Sequence, residues 1–417
     1  MSSNVEMLRR LKAVECRDST YWPKENPTVF QKAKGSLVWD VEGREYIDLC
    51  AGFGALPLGH ASDALRDVTA EFASERPMVE HAMGDVYPSE EKILFLETLK
   101  SMLPSSYALG ALALSGGQAV EIALKTAMLA TKRSGFIVFD GAYHGLDLGV
   151  LALTSREDFR APFASWLAES NVIRLPFGAS KDQLKAAIGK LKPFGLAAII
   201  VEPIQGRAGV NLPPPGWLES LATIAHENHG LLILDEIFTG FGRIGKISTA
   251  SFVDADISCF GKSIGGGFPI SACFAKRDVM SAWPESPGEA LHTGTFFGHP
   301  FSAAVGRRTL LQIQSQELSA RAETLGNKAK QQLSDALRGH PMVIDIRGEG
   351  LFLGIEFSKA GFAAKIMDDI RPKGVIVLPS GNTGSVLSMT PALNISDELF
   401  GEALNRIIGC IVKGTMS

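Results

Sequence analysis

The chain has 417 residues, a formal net charge of −4, and 46% hydrophobic against 21% charged residues. That length exceeds what one hydrophobic core usually serves, and the composition excludes a disordered or fibrous chain. Lys and Arg are dispersed, so no basic stripe is offered to a nucleic-acid backbone.

The longest apolar runs, such as 196–201 and 231–234, fall far short of the roughly 20 residues that cross a bilayer. The N-terminal MSSNVEMLRR has no apolar signal-peptide core, and neither a nucleic-acid nor a membrane partner is expected. Five cysteines, an odd number without a C-x-x-C pair, fit reduced thiols better than a disulfide framework or zinc site. The expectation is a cytoplasmic protein without a metal centre.

In residues 36–50, apolar and polar residues alternate on either side of Glu42-Gly43, which predicts two short strands around a turn. From there to about residue 310, short apolar runs recur between helical stretches, at 136–139, 197–201, 231–234, 257–260 and 270–274. Strands of this kind are buried on both faces, which implies an α/β domain whose mainly parallel sheet is covered by helices. In such sheets ligands bind beyond the carboxyl ends of the strands. Past residue 310 a long helical stretch leads to predicted strands at 343–346 and 351–357, a helix near 363–371 and a strand at 375–378. These form a smaller α+β domain. The expected division is an N-terminal segment 1–59 contributing to the small domain, a large domain 60–310, and a C-terminal small domain 311–417.

Four chemistry-bearing segments follow in order. Ser115-Gly116-Gly117-Gln118 precedes an amphipathic stretch at 119–132. Glycines let the backbone approach a phosphate, and a helix N-terminus offers free N–H groups, although an ordinary N-cap turn reads the same way. Gly141-Ala142-Tyr143-His144-Gly145 follows a strand and could lay an aromatic ring against a flat heterocycle or a neighbouring helix. LLILDEIFTG at 231–240 delivers Asp235 to a strand end, where a lone Asp is commonly a turn former. The next strand ends in Cys259-Phe260-Gly261-Lys262-Ser263, with Lys262 lying 27 residues beyond Asp235. Together they are harder to dismiss. A buried carboxylate keeps a pyridinium nitrogen protonated, and a desolvated lysine attacks an aldehyde as the free amine.

Gly240-Phe-Gly-Arg-Ile-Gly245 matches a dinucleotide-binding G-x-G-x-x-G. The strand, however, ends several residues earlier and KISTASFVDADIS lacks helical periodicity, so no helix N-terminus meets a pyrophosphate and the Rossmann reading is set aside.

The order SGGQAVE, AYHG, EPIQG, LDEIFTGFGRIG, GKSIGGG and GTFFGHP, from residue 115 to 300, resembles class III aminotransferases. Weaker similarity covers VWDVEGREYIDLCAGFG and RGEGLFLGIEF at 347–357. The resemblance implies pyridoxal-phosphate transferase fold type I, pyridoxal 5′-phosphate as cofactor, and a homodimer with active sites at the interface. By position it implies that Gly116 and Gly117 bind the cofactor phosphate, that Tyr143 and Ile237 cover the two ring faces, and that Thr295 contacts the phosphate of the neighbouring subunit's cofactor. Lys262 would carry the cofactor as a Schiff base and Asp235 would hold its pyridine nitrogen. Phe53, Glu202 and Arg207 are candidate substrate contacts, Glu202 being equally able to fix a loop.

Three departures concern carboxylate recognition. Relatives that use 2-oxoglutarate carry an arginine shortly before a C-terminal Pro-x-Leu, where an ungapped comparison puts Ser388. The arginine that often follows His-Gly is Leu146, and the family's EPxQGEGG reads Glu202-Pro-Ile-Gln-Gly-Arg207-Ala-Gly209. Either Arg207 supplies substitute recognition, or the donor has no α-carboxylate, or Arg207 is a surface charge.

The expected activity is amino transfer between a small amine or amino acid and a keto acid or aldehyde, by a ping-pong Schiff-base mechanism. A 2,1-aminomutase of the glutamate-1-semialdehyde type, a racemase or a decarboxylase would use the same residues. A catalytically silent scaffold is a further alternative, against which the intact Lys262 and Asp235 argue.

Overall fold

A computed structural model describes residues 3–21, 27–75 and 77–414. Near the N-terminus, β1 (Phe30–Lys34), β2 (Leu37–Asp40) and β3 (Glu45–Asp48) form an antiparallel meander. The predicted turn is tied by Asp40, whose Oδ1 accepts from the backbone N–H groups of Glu42 and Arg44, both at 2.9 Å.

Seven strands build the main sheet: β4 (Tyr107–Ala113), β5 (Gly135–Phe139), β6 (Val172–Leu175), β7 (Leu196–Val201), β8 (Leu231–Asp235), β9 (Ile257–Phe260) and β10 (Ser271–Lys276). Their spatial order is β4-β10-β9-β8-β7-β5-β6. The five strands from β9 to β6 are mutually parallel, whereas β10 runs antiparallel to both β9 and β4. Every residue of β5, β7 and β9 is buried. Alternate residues of β7 serve opposite faces: Ala198 and Ile200 meet the helix Gly116–Thr131, while Ile199 and Val201 meet Trp217, Leu221 and Ala225 of the helix Trp217–Glu227. This two-sided burial produces the uninterrupted apolar runs in the sequence.

The C-terminal part adds β11 (Val343–Glu349), β12 (Phe352–Phe357), β13 (Val375–Ile376), β14 (Leu378–Ser380) and β15 (Val386–Met389). Four of these form the sheet β11-β12-β15-β14, while β13 pairs in parallel with β3. The predicted strand 375–378 is therefore two strands: the chain leaves one sheet at Val377 and enters another at Leu378. The expected 270–274 strand is present but lies antiparallel in the sheet. β4 and β6 were not anticipated. They are the edges of the main sheet, half-exposed in places, so they lack the continuous apolar signature of buried strands. No α-helix opens after Gly240–Gly245, only a 3-10 turn at Thr249–Ser251, in accord with the rejected Rossmann reading. Among the described residues, no helix is long and apolar enough to cross a membrane.

Helix Leu318–Ala336 docks on the β11–β12 turn through Gly326, where a Cβ would stand 1.8 Å from the carbonyl oxygen of Gly350. Gly401, in helix Asp397–Gly414, faces open space. Gly326→Ala should lower unfolding free energy by about 1–3 kcal/mol or more through overpacking. Gly401→Ala should raise it by up to about 1 kcal/mol through helix propensity. Denaturant unfolding of the two variants checks both signs.

Candidate active site

Strands β8 and β9 are parallel neighbours, with Asp235 in register with Cys259. Asp235 therefore ends its strand beside the point where β9 gives way to Gly261 and Lys262. Lys262 takes a left-handed backbone conformation, φ +43°, and opens a short 3-10 turn over residues 262–265. Such a φ costs a non-glycine residue on the order of 1–3 kcal/mol and is retained where the surroundings impose it. It leaves the Lys262 ammonium 4.2 Å from the centroid of the Phe238 ring.

Asp235 is buried and fixed on two sides. Its Oδ1 accepts from the backbone N–H of Ile237 at 3.1 Å, and its Oδ2 lies 2.7 Å from Nδ1 of His144. His144 is itself buried, and its Nε2 has no hydrogen-bond partner among the described residues. Burial pushes the Lys262 ammonium down to about 8, and Arg207 acts in the same direction, against Asp235 and Glu202. A free amine thereby becomes accessible near neutral pH.

Glu202 is buried one strand away, beyond β7. It accepts from the backbone N–H of Tyr143 at 2.9 Å and of Gly206 at 3.1 Å. Burial pushes its carboxyl up to about 7, with Asp235 adding to the rise and His144 and the two N–H groups opposing it. It thus ties two active-site turns together while also lining the cavity.

The floor is backbone. Ser115 caps helix Gly116–Thr131, accepting from the Gln118 N–H while Gln118 Oε1 accepts from the Ser115 N–H. A Cβ on Gly116 would lie 3.0 Å from the Ile237 side chain, and one on Gly117 would lie 2.4 Å from Asp147 Oδ2. Gly145, at φ +119°, passes so near that its Cβ would meet the Gly117 Cα at 2.9 Å. Only glycines allow this approach to a helix N-terminus, where free N–H groups favour an anion.

These groups surround a cavity of about 740 Å³. Phe53, Gly116, Gly117, Tyr143, Glu202, Arg207, Asp235, Ile237 and Lys262 all line it. Thr295 does not: its carbonyl oxygen lies 2.7 Å from Nε2 of His81, outside the cavity of its own chain. The sequence reading gave no role to His144, Asp147 or Phe238. The Tyr-His pair at a strand end was visible, but its register against Asp235 was not. Among the described residues no group of three or more His, Cys, Asp or Glu could hold a metal ion.

Pyridoxal phosphate fits this donor set. The glycine cradle suits its phosphate, Tyr143 and Ile237 offer surfaces for a flat ring, Asp235 retains lone pairs for a ring N–H, and Lys262 provides the amine. A mainly parallel α/β sheet with this rim defines a pyridoxal-phosphate transferase of fold type I. The description "Aminotransferase class-III" matches residues 20–411, and the chain belongs to that family. It is 33% identical to an acetylornithine aminotransferase of Methanosarcina mazei, covering 89% of each chain. It is 31% identical to a 4-aminobutyrate aminotransferase of Escherichia coli, covering 98% of this chain and 99% of that one. Its structure is similar to that of an ornithine aminotransferase from Toxoplasma gondii, with a TM-score of 0.88 and 28% identity over 99% and 95% of the two chains. That structure is described as having partial occupancy of pyridoxal phosphate at the active site. The protein is a pyridoxal-phosphate-dependent aminotransferase.

Glu202 supplies a pH test. Its folded pKa, about 7, stands above the ordinary 4.5, so the folded chain holds this proton more tightly than the unfolded one. The associated stability is present at acid pH and is lost as pH rises through about 7. Between pH 5 and 8 the stability difference between wild type and Glu202→Gln should shift by about 2 kcal/mol in favour of the variant. Unfolding of the cofactor-free proteins at both pH values measures it; a difference that stays constant would contradict a buried, elevated carboxyl.

Proposed function

We propose that Lys262 and Asp235 carry the chemistry of amino exchange between a small amine or amino acid and a keto acid or aldehyde, in two half-reactions that give ping-pong kinetics. The observation that carries this reading is the convergence of a half-buried amine and a buried, doubly anchored carboxylate on one cavity rim. When bound, pyridoxal phosphate supplies an aldehyde that condenses with amines and a ring that accepts electrons.

Lys262 would hold that aldehyde, and its free amine would move a proton to and from the substrate carbon. Asp235 keeps the ring nitrogen protonated, and His144 orients Asp235. The backbone N–H groups at Gly116 and Gly117 hold the phosphate, while Tyr143 and Ile237 fix the ring plane. Phe53 and Glu202 face the substrate side.

Thr295 lies outside its own cavity, which supports contact with the phosphate site of a second subunit in a homodimer with interfacial active sites. We assign residues 60–310 to the large domain, and 1–59 with 311–417 to the small one; the pairing of β3 with β13 supports this division. A cytoplasmic location completes the reading. The names of these three relatives, aminotransferases of acetylornithine, 4-aminobutyrate and ornithine, favour transfer over the mutase, racemase and decarboxylase alternatives.

Borohydride reduction of the holoenzyme followed by peptide mass analysis should place the pyridoxyl group on Lys262. Lys262→Ala should lose that label together with the visible absorption of lysine-linked cofactor, and turnover should fall by about 10²–10⁴-fold. A label on another lysine would reassign the reacting amine.

A further inference from the structure

Arg207 stands on a loop whose backbone is held from several sides. Gln205 and Asn211 exchange two backbone hydrogen bonds, both 3.0 Å, closing the loop at its base. The Arg207 carbonyl accepts from the N–H of Gly381 at 2.9 Å. Arg347 donates to the carbonyls of Gly209 and Val210, its shortest contact being 2.7 Å, and is paired on its other side with Glu356 and Asp345.

The guanidinium that this loop presents is exposed, and no acid among the described residues lies within ion-pair distance of it. Its central carbon is 5.4 Å from the centroid of the Tyr143 ring. It also borders a second, small cavity of about 30 Å³, shared with Phe238 and Ser388. Arg207 and Ser388, two of the three altered positions, therefore share a cavity wall. The space beside Ser388 is too small for another guanidinium, and its hydroxyl already donates to the Leu378 carbonyl at 3.1 Å.

An unpaired guanidinium on a fixed loop is preorganised for a planar anion, which its two parallel N–H groups grip bidentately. The remaining charges limit how many such anions the site accepts. Among the described residues lining the main cavity, Lys262 is the only other lysine or arginine, and it is the reacting amine; Asp147, Glu202 and Asp235 are acids. Within this chain's own described lining, a second substrate carboxylate would meet those acids or phenylalanine rings and no further lysine or arginine.

We propose that Arg207 is the carboxylate-reading residue of this active site and restricts the amino acceptor to carbonyl compounds with one carboxylate, 2-keto acids of the pyruvate type, in preference to dicarboxylates. The inference rests on the aminotransferase reading with Lys262 as reacting amine.

Single-turnover experiments test it without knowledge of the donor. Full-length protein is loaded with pyridoxamine 5′-phosphate and mixed with pyruvate, 2-oxoglutarate or propanal, and the cofactor spectrum is followed. Wild type should half-saturate with pyruvate at a concentration at least about tenfold below that for 2-oxoglutarate. Arg207→Gln should raise the pyruvate value about 10- to 100-fold with little change in limiting rate. Arg207→Lys should recover part of the loss, and the half-saturation with propanal, which has no carboxylate, should change far less between the three proteins than that with pyruvate. A pyruvate half-saturation unchanged in Arg207→Gln overturns the role of Arg207, and equal saturation by the two keto acids overturns the one-carboxylate limit. If wild type reacts with none of the three, propanal included, the underlying assignment of Lys262 falls and the proposal with it.

Discussion

Parallel pairing of β8 with β9 is the constraint on which the site depends. The register that sets Asp235 beside Cys259 brings an acid and a lysine, 27 residues apart in the chain, to the same rim of the sheet. Neighbouring strands run about 4.8 Å apart, so side chains leaving their carboxyl ends converge on one cavity. Both strands are clamped from above and below by apolar side chains, and a slip in register would move buried residues to the wrong face. The precision of the chemistry is thus inherited from the burial of strands such as Ile257–Phe260.

Holding these groups there carries an electrostatic cost that the fold distributes over several residues. Lys262 sits above an aromatic face and has a lowered proton affinity because water is excluded. Asp235 is held in position by His144 and the Ile237 N–H, and burial raises the carboxyl of Glu202. The left-handed Lys262 adds local strain, tolerated because the surrounding sheet and turns leave the backbone no cheaper path.

How much of this was legible in the sequence follows from which forces are local. Buried strands announce themselves as apolar runs, so β5, β7, β8 and β9 were readable, and with them the placement of Asp235 and Lys262. Edge strands β4 and β6 face water on part of their surface and resemble ordinary loop or helix sequence. The division of 375–378 between two sheets depends on pairing with β3 and β15, partners more than 300 residues away in one case and adjacent in the other, and no local pattern encodes that choice. His144 was visible as a residue, but its role requires knowing that the turn after β5 reaches the end of β8, two strands across the sheet. Motif order drew attention to Gly116, Gly117, Tyr143 and Ile237, which line the cavity. The single chain leaves Thr295 outside the cavity, where a role across subunits has to be argued separately.

The chain's departures from its family fall on residues that the fold does not need. Ser388, on β15, has its hydroxyl satisfied by a carbonyl, and the Arg207 side chain is exposed at the cavity while only its backbone helps to hold the loop. Glu202, in the same motif, accepts two backbone N–H groups that shape the turns, so changing it would disturb structure as well as chemistry. Substrate recognition can therefore shift between a strand and a neighbouring loop while the reaction centre stays fixed. Asp235 and Lys262 therefore mark a centre that amino transfer would share with the mutase, racemase and decarboxylase alternatives, whereas the proposed substrate preference rests on the charge balance around Arg207.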